Sequence, residues 1–209
     1  MSAELFYQKL AQQCIAAPPI DNGGEFLESA VIVPLLEENG RLSVLFEVRA
    51  QTLNRQPGEI CFPGGRIEAG ETPLAAAVRE TAEELSIARD CIRVLGPLPV
   101  VASPIGVMLF PYAGVLSGGC RIRPSKAEVE ECFTVPLDWL LRAKPFVGKM
   151  ETATRPVSGI PANLLPEDYS PGWKRRHSYP VWFYRYRERV IWGLTGRVLA
   201  AFLAICKQG

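Results

Sequence analysis

Residues 72–87 hold a segment whose chemistry divides by side, and it restricts the fold more than any other stretch. On a helical wheel at about 100° per residue, Leu74, Ala75, Val78, Ala82 and Leu85 fall in one stripe, as a core-facing surface requires. Glu80, Glu83 and Glu84 fall in a second stripe centred opposite the first. Thr72 can cap the first turn and Pro73 suits it, so a helix is predicted over residues 73–86. Three carboxylates this close repel one another by roughly a few tenths of a kcal/mol per i,i+4 pair. Arg79, four residues before Glu83, offsets only part of that. Two readings stand: an acidic face left in water, since glutamate is a good helix former, or a face that holds divalent cations, hard ions with oxygen ligands.

A helix with one apolar stripe needs a layer to cover it, and the flanking sequence supplies strands. Residues 30–36 and 42–48 are β-rich runs separated by Glu37-Glu38-Asn39-Gly40, where Asn-Gly is a strong hairpin signal. Residues 58–62 form a short apolar stretch stopped by Pro63-Gly64-Gly65. Further strands are predicted at 92–95, 108–116, 132–135 and 181–184, a short helix at 138–141 and a closing helix at 191–207. Residues 159–174, rich in proline, glycine and polar side chains, read as a surface loop. Residues 4–16 have a helical pattern that ends before Pro18-Pro19. The expected organisation is a helical N-terminal extension, 1–25, and one domain, 26–209. Strands with interspersed helices but no regular βα alternation predict the α/β class, a sandwich around a mixed sheet.

Composition narrows the partners. Twenty-three basic and 22 acidic side chains leave a net charge of +1, so no global field selects nucleic acid or an anionic membrane. Cys14, Cys61, Cys91, Cys120, Cys132 and Cys206 are scattered without a C-x-x-C pair, and His177 is the one histidine, which argues against a zinc site. The start, MSAELFYQKL, lacks the basic-then-apolar layout of a secretory signal. Reduced, mostly buried thiols in a cytoplasmic protein are therefore expected. No segment approaches the ~20 apolar residues that span a bilayer.

The residues before the helix decide between its two readings. Paired glycines let backbone approach a ligand closely, and Gly65-x5-Glu71-x7-Arg79-Glu80-x-x-Glu83-Glu84 sets a glycine loop, a loop carboxylate and a charged helix in fixed register. This segment resembles the Nudix box, the signature of hydrolases that cleave nucleoside diphosphates linked to another moiety. Every charged position matches. Thr81 stands where an aliphatic is usual and Ser86 where the last glycine is usual, while Ile87 fits.

Upstream, Val48-Arg49-Ala50-x3-Asn54-x3-Gly58-x3-Phe62-Pro63-Gly64-Gly65 is similar to the additional motif of the coenzyme A pyrophosphatase branch. That motif has arginine where Asn54 stands, with Arg55 beside it. Ser103-x-x-Gly106 with Pro111-Tyr112 resembles the same branch, as do Glu128-Val129-x-Glu131 with Val135-Pro136-Leu137, and Ile191-Trp192-Gly193-Leu194-Thr195. A tryptophan and glycine at a helix start also read as core packing.

The resemblance implies a Nudix-type α/β/α sandwich with a catalytic loop-helix-loop. It further implies Mg²⁺ or Mn²⁺ on Glu80, Glu83 and Glu84, helped by a carbonyl of Gly64-Gly65, with Arg79 orienting a helix glutamate and Glu71 supporting the loop. Bound cations would neutralise pyrophosphate oxygens and acidify a water. The general base is open between Glu83 and a carboxylate from another segment, Glu128 or Glu131. Coenzyme A or a derivative would give 3′,5′-ADP and 4′-phosphopantetheine. Its 3′-phosphate would need cations, and Arg49, Arg55 or the run Lys174-Arg175-Arg176-His177 could supply them. Each of these also reads as solvated surface charge. Rival implied functions are hydrolysis of ADP-ribose or another nucleoside diphosphate derivative, and a nucleotide-sensing module without catalysis. A homodimer is the assembly that the family implies.

Overall fold

The computed structural model describes residues 26–38, 40–166, 169 and 172–207. The helix expected at 4–16 and Asn39 of the expected hairpin turn lie outside them. Strands β1 (Leu27–Glu38) and β2 (Arg41–Arg49) form that hairpin, with Glu38 opposite Arg41 and Leu35 opposite Val44. The short β3 (Ile60–Cys61) pairs with β2, and β4 (Gly64–Arg66) folds back onto β1. Helix α1 (Pro73–Glu84) follows, then β5 (Ile92–Pro97) and β6 (Val101–Ser103), both antiparallel to β7 (Val107–Leu116). Strand β7 runs parallel to β1, and β8 (Val129–Pro136) closes antiparallel onto β2. The result is an eight-stranded mixed sheet. Helix α2 (Leu137–Arg142) leads to a separate three-stranded antiparallel sheet of β9 (Phe146–Thr154), β10 (Lys174–Tyr186) and β11 (Arg189–Ile191), and α3 (Gly193–Cys206) ends the described chain.

Side-chain alternation along β2 sorts the layers. Val44 and Phe46 join Leu140 of α2 and Val198, Leu199, Phe202 and Leu203 of α3 in one buried cluster. Leu45 points the other way and packs with Ala82 and Leu85 of α1. Ala30 and Ile32 of β1 meet Ala76 and Ala77 of α1 on that same face. The expected α/β/α sandwich is thus present, one helix against two. Phe46 anchors the larger cluster, stacked between Phe62 at 4.9 Å and Phe133 at 5.5 Å. Burying a side chain of this kind stabilises the fold by about 2 kcal/mol.

Three expectations need correction, and one element was not expected. First, α1 is rotated from its wheel: Leu74 is 40% exposed, whereas Ala76 and Ala77 are fully buried and Glu84 is only 3% exposed. The glycine strand β4 runs beside the helix on the side that polarity marked as solvent, and its bare backbone closes over it. Second, residues 146–154 form a strand that no apolar alternation announced. Third, Lys174-Arg175-Arg176-His177 opens β10 and is not loop. Arg175 pairs with Glu151 at 2.7 Å, and Arg176 and His177 engage Thr154 and Thr152 of β9.

Fourth, the cysteines are not all free. The end of β7 returns to the turn before β5, where the Ser117 amide donates to the Cys91 carbonyl at 2.9 Å. That brings Cys91 and Cys120 into a disulfide. Cys61, Cys132 and Cys206 remain thiols. Among the described residues no helix is long and apolar enough to cross a membrane.

Candidate active site

The site is built where α1 lies against β4, with the end of the helix meeting the buried side chains of β2. Thr72 caps α1 by accepting the Ala75 amide at 3.2 Å, with Pro73 in the first turn. At the far end Ser86 takes a φ of 50°, the left-handed conformation that favours glycine. This is the position where the Nudix pattern has one. Thr81, the other departure, is fully buried, and its hydroxyl lies 3.5 Å from the Pro63 carbonyl. A hydroxyl in place of an aliphatic therefore faces a backbone acceptor of the glycine loop.

The two glycines of that loop are required for different reasons. Gly64 has a φ of 146°, and a Cβ there would overlap the Ala30 carbonyl. At Gly65 a Cβ would lie 2.6 Å from Glu80 Oε2, so the missing side chain is what admits the Glu80 carboxylate. Glu84 meets the same loop: its Oε2 accepts the Gly64 amide at 2.7 Å.

Arg79 organises the outer half of the site. Its Nε and Nη2 donate to Glu71 Oε1 and Oε2 at 2.9 and 2.8 Å, a bidentate pair. Nη1 donates to Glu80 Oε1 at 2.8 Å, and Nη2 also reaches the Arg66 carbonyl at 3.2 Å. Glu83 lies 3.5 Å from Nη1 and is the most exposed of the box carboxylates. The hydrogen bonds from Arg79 hold the Glu71 carboxyl below its ordinary range, and Glu71 and Glu80 in turn hold the guanidinium proton more tightly.

The inner half carries unbalanced negative charge. Burial pushes the Glu84 carboxyl well up, repulsion from Glu47 adds to it, and the Gly64 amide opposes both. Glu47, which polarity alone did not single out, is 1% exposed on the α1 face of β2. Burial raises its carboxyl to about 7 against the Cys61 thiol, which donates to Oε1 at 3.3 Å, and against the Arg49 charge. Glu128 adds only a minor repulsion on both carboxyls, and backbone bonds through Ser125 tie its segment to the end of α1. Glu131 goes elsewhere: Arg189 binds it with two hydrogen bonds, at 2.8 and 3.1 Å, and holds its carboxyl low. Arg49 thus reaches the cluster electrostatically, while its Nε donates to the Arg55 carbonyl at 3.4 Å. Arg55 and Asn54 lie exposed on the loop between β2 and β3. In the basic run of β10, Arg175 and Arg176 have their partners on β9 instead, and Lys174 lies over the Tyr169 ring.

Among the described residues no three acidic, histidine or cysteine side chains converge as a ready-made cage. The donor set still fits a hard divalent cation, which needs only one or two carboxylates and completes its shell with water and phosphate. Glu80 and Glu84 both border the glycine loop, and the buried Glu84 has a deficit of positive charge that a cation would relieve.

Comparison with known proteins agrees with this geometry. The NUDIX domain model matches residues 26–155. Peroxisomal coenzyme A diphosphatase NUDT7 of Mus musculus is 36% identical over 124 residues, which are 59% of this chain and 52% of that protein. The chain therefore spans about half the length of that relative. Nudix hydrolase 3 of Caenorhabditis elegans is 31% identical over 180 residues, 84% of this chain and 72% of its own. A MutT/nudix family protein from Enterococcus faecalis superposes with a TM-score of 0.51 at 13% identity, covering 99% of this chain and 70% of that one, a likeness of fold. With the family pattern matched across more than half of its length and the box residues gathered at one site, this chain belongs to the Nudix family of hydrolases.

Proposed function

We propose that the protein hydrolyses the pyrophosphate bond of coenzyme A or its derivatives, releasing 3′,5′-ADP and 4′-phosphopantetheine. The observation that carries the substrate is the 36% identity to a protein named as a coenzyme A diphosphatase. The segment from Arg49 to Gly65, similar to that branch, supports it. The reading includes Mg²⁺ or Mn²⁺ held by Glu80, Glu83 and Glu84 with a carbonyl of Gly65, a cytoplasmic setting and a homodimer. Bound cations supply neutralisation of the pyrophosphate oxygens and acidification of water.

The chain's own residues do the rest. Arg79 fixes Glu80 and, through Glu71, the glycine loop, so the reacting phosphorus meets a preset carboxylate geometry. Glu128, within electrostatic range of Glu84, takes the proton of the attacking water; Glu131, held by Arg189, is engaged elsewhere. The water oxygen bonds to one phosphorus, the bridging P–O bond breaks, and the departing phosphate keeps the electron pair. Arg49 neutralises the diphosphate from the β2 side, and Arg55, exposed beside it, takes the 3′-phosphate. Turnover of coenzyme A, acyl-coenzyme A, ADP-ribose and NADH with Mg²⁺ or Mn²⁺ tests the reading. Release of 3′,5′-ADP from coenzyme A should be fastest, and preference for ADP-ribose would overturn the substrate.

A further inference from the structure

One buried oxygen of the acidic cluster has no role in the box. Glu47 lies on β2, two residues beyond Leu45, and so faces α1. Its Oε1 accepts the Cys61 thiol, whereas Oε2 has no hydrogen-bond partner, alone among the buried side-chain nitrogens and oxygens of the described residues. Glu84, itself buried, is near enough to interact with it, and Glu128 adds a third negative field. The arginines at the site make no hydrogen bond to Glu47: Arg79 is turned to Glu71, Glu80 and Glu83, and Arg49 reaches Glu47 only through its field, with its Nε on the Arg55 carbonyl.

Two neighbouring carboxylates out of water are tolerated when a positive species lies between them, either one shared proton or a cation. A shared proton would serve one oxygen of each and would not explain why the pair sits at the glycine loop. There Glu84 continues along α1 to Glu80 and to the exposed Glu83. Cations of the Mg²⁺ class are held by one or two carboxylates, with water and phosphate in the other positions. Two carboxylates therefore suffice where no three converge.

We propose that Glu47 is an inner ligand of the divalent-cation centre, its Oε2 sharing an ion of the Mg²⁺ or Mn²⁺ class with Glu84. Cys61 is a positioning residue, since its donation to Oε1 turns Oε2 toward the ion. The inference rests on the metal-dependent reading above, but it is tested by binding.

Metal-stripped protein is titrated with Mn²⁺, and free Mn²⁺ is followed by electron paramagnetic resonance for wild type, E47Q, C61A and C61S. For E47Q, loss of one bound Mn²⁺ per chain, or an affinity lower by at least about tenfold, is expected. C61A, which removes the donor to Oε1, should weaken Mn²⁺ binding in the same direction, and C61S, which keeps a donor, should restore it. Unchanged Mn²⁺ number and affinity in E47Q, with a raised melting temperature, would mean a shared proton and overturn the proposal. Should E47Q fail to fold, wild-type crystals soaked in Mn²⁺ decide. Anomalous density about 2.1 Å from Glu47 Oε2 is expected, and ions confined to the box glutamates would overturn the proposal. Mn²⁺ bound at Glu47 without any turnover would refute the functional reading and leave this one standing. Metal-dependent turnover with E47Q binding intact would refute this one alone.

Discussion

Arg79→Lys keeps the charge and removes the fork, so it isolates what planar geometry contributes. In the structure the guanidinium makes four hydrogen bonds, two to Glu71 at 2.9 and 2.8 Å, one to Glu80 at 2.8 Å and one to the Arg66 carbonyl at 3.2 Å. A lysine ammonium reaches one or two of these acceptors at once, so two or three bonds are lost. Hydrogen bonds to charged groups are worth about 1.5–3 kcal/mol each when dry. Here the side chains are 16–19% exposed, so water replaces part of each bond. Taking about 1 kcal/mol per lost bond, R79K should lower unfolding free energy by about 2–3 kcal/mol. Urea unfolding should show a lower midpoint with an unchanged slope. Glu80 and the loop carrying Glu71 also lose their fixed placement, and turnover should fall on the order of a hundredfold. Stability within about 0.5 kcal/mol of wild type, with turnover unchanged, would refute the clamp.

Two further outcomes follow from residues at the ends of the site. Ser86 holds a φ of 50°, where a side chain is strained, so Ser86→Gly should raise stability by about 0.5–1 kcal/mol; a lower melting temperature would contradict this. Glu131 is held below its ordinary value of 4.5 by Arg189, so it adds stability above that pH and loses it as pH falls through the lowered value. The pair is half exposed, which limits its worth to about 1 kcal/mol or less. Urea midpoints of Arg189→Gln should trail wild type at pH 7 and converge with it in acid. A gap that persists in acid would assign the loss to other contacts of Arg189.

The outer half of the site was legible because it is written in charges at fixed spacing. Glu71, Arg79 and Glu80 meet where the register of the box puts them, and the hairpin of β1 and β2 follows its turn signal. The inner half was not legible, for a physical reason. Gly64 and Gly65 bring bare backbone against one side of α1, so no apolar side chain in the sequence reports that Glu84 is covered. Glu47 was missed for a related cause: a carboxylate in strand alternation reads as solvent-facing, and only the packing of the α1 end on that face of β2 reverses it. Strand β9 carries no signal because it is held by pairing with β10, and most of its side chains face water. The disulfide depends on β7 returning to the turn before β5, a distance in space that Cys91 and Cys120 do not announce in sequence.

The central claim is that the box helix carries metal-dependent hydrolysis, and Glu84→Gln tests it most directly. Glutamine keeps an acceptor for the Gly64 amide and removes a buried charge, so the variant should fold and melt at or above the wild-type temperature without metal. The measurement is release of 3′,5′-ADP from coenzyme A by wild type and E84Q, each with Mn²⁺ and with chelator. Wild-type release that needs Mn²⁺ and falls to background in folded E84Q is the predicted result. Folded E84Q that turns over as wild type does, or wild-type release indifferent to chelator, would contradict it.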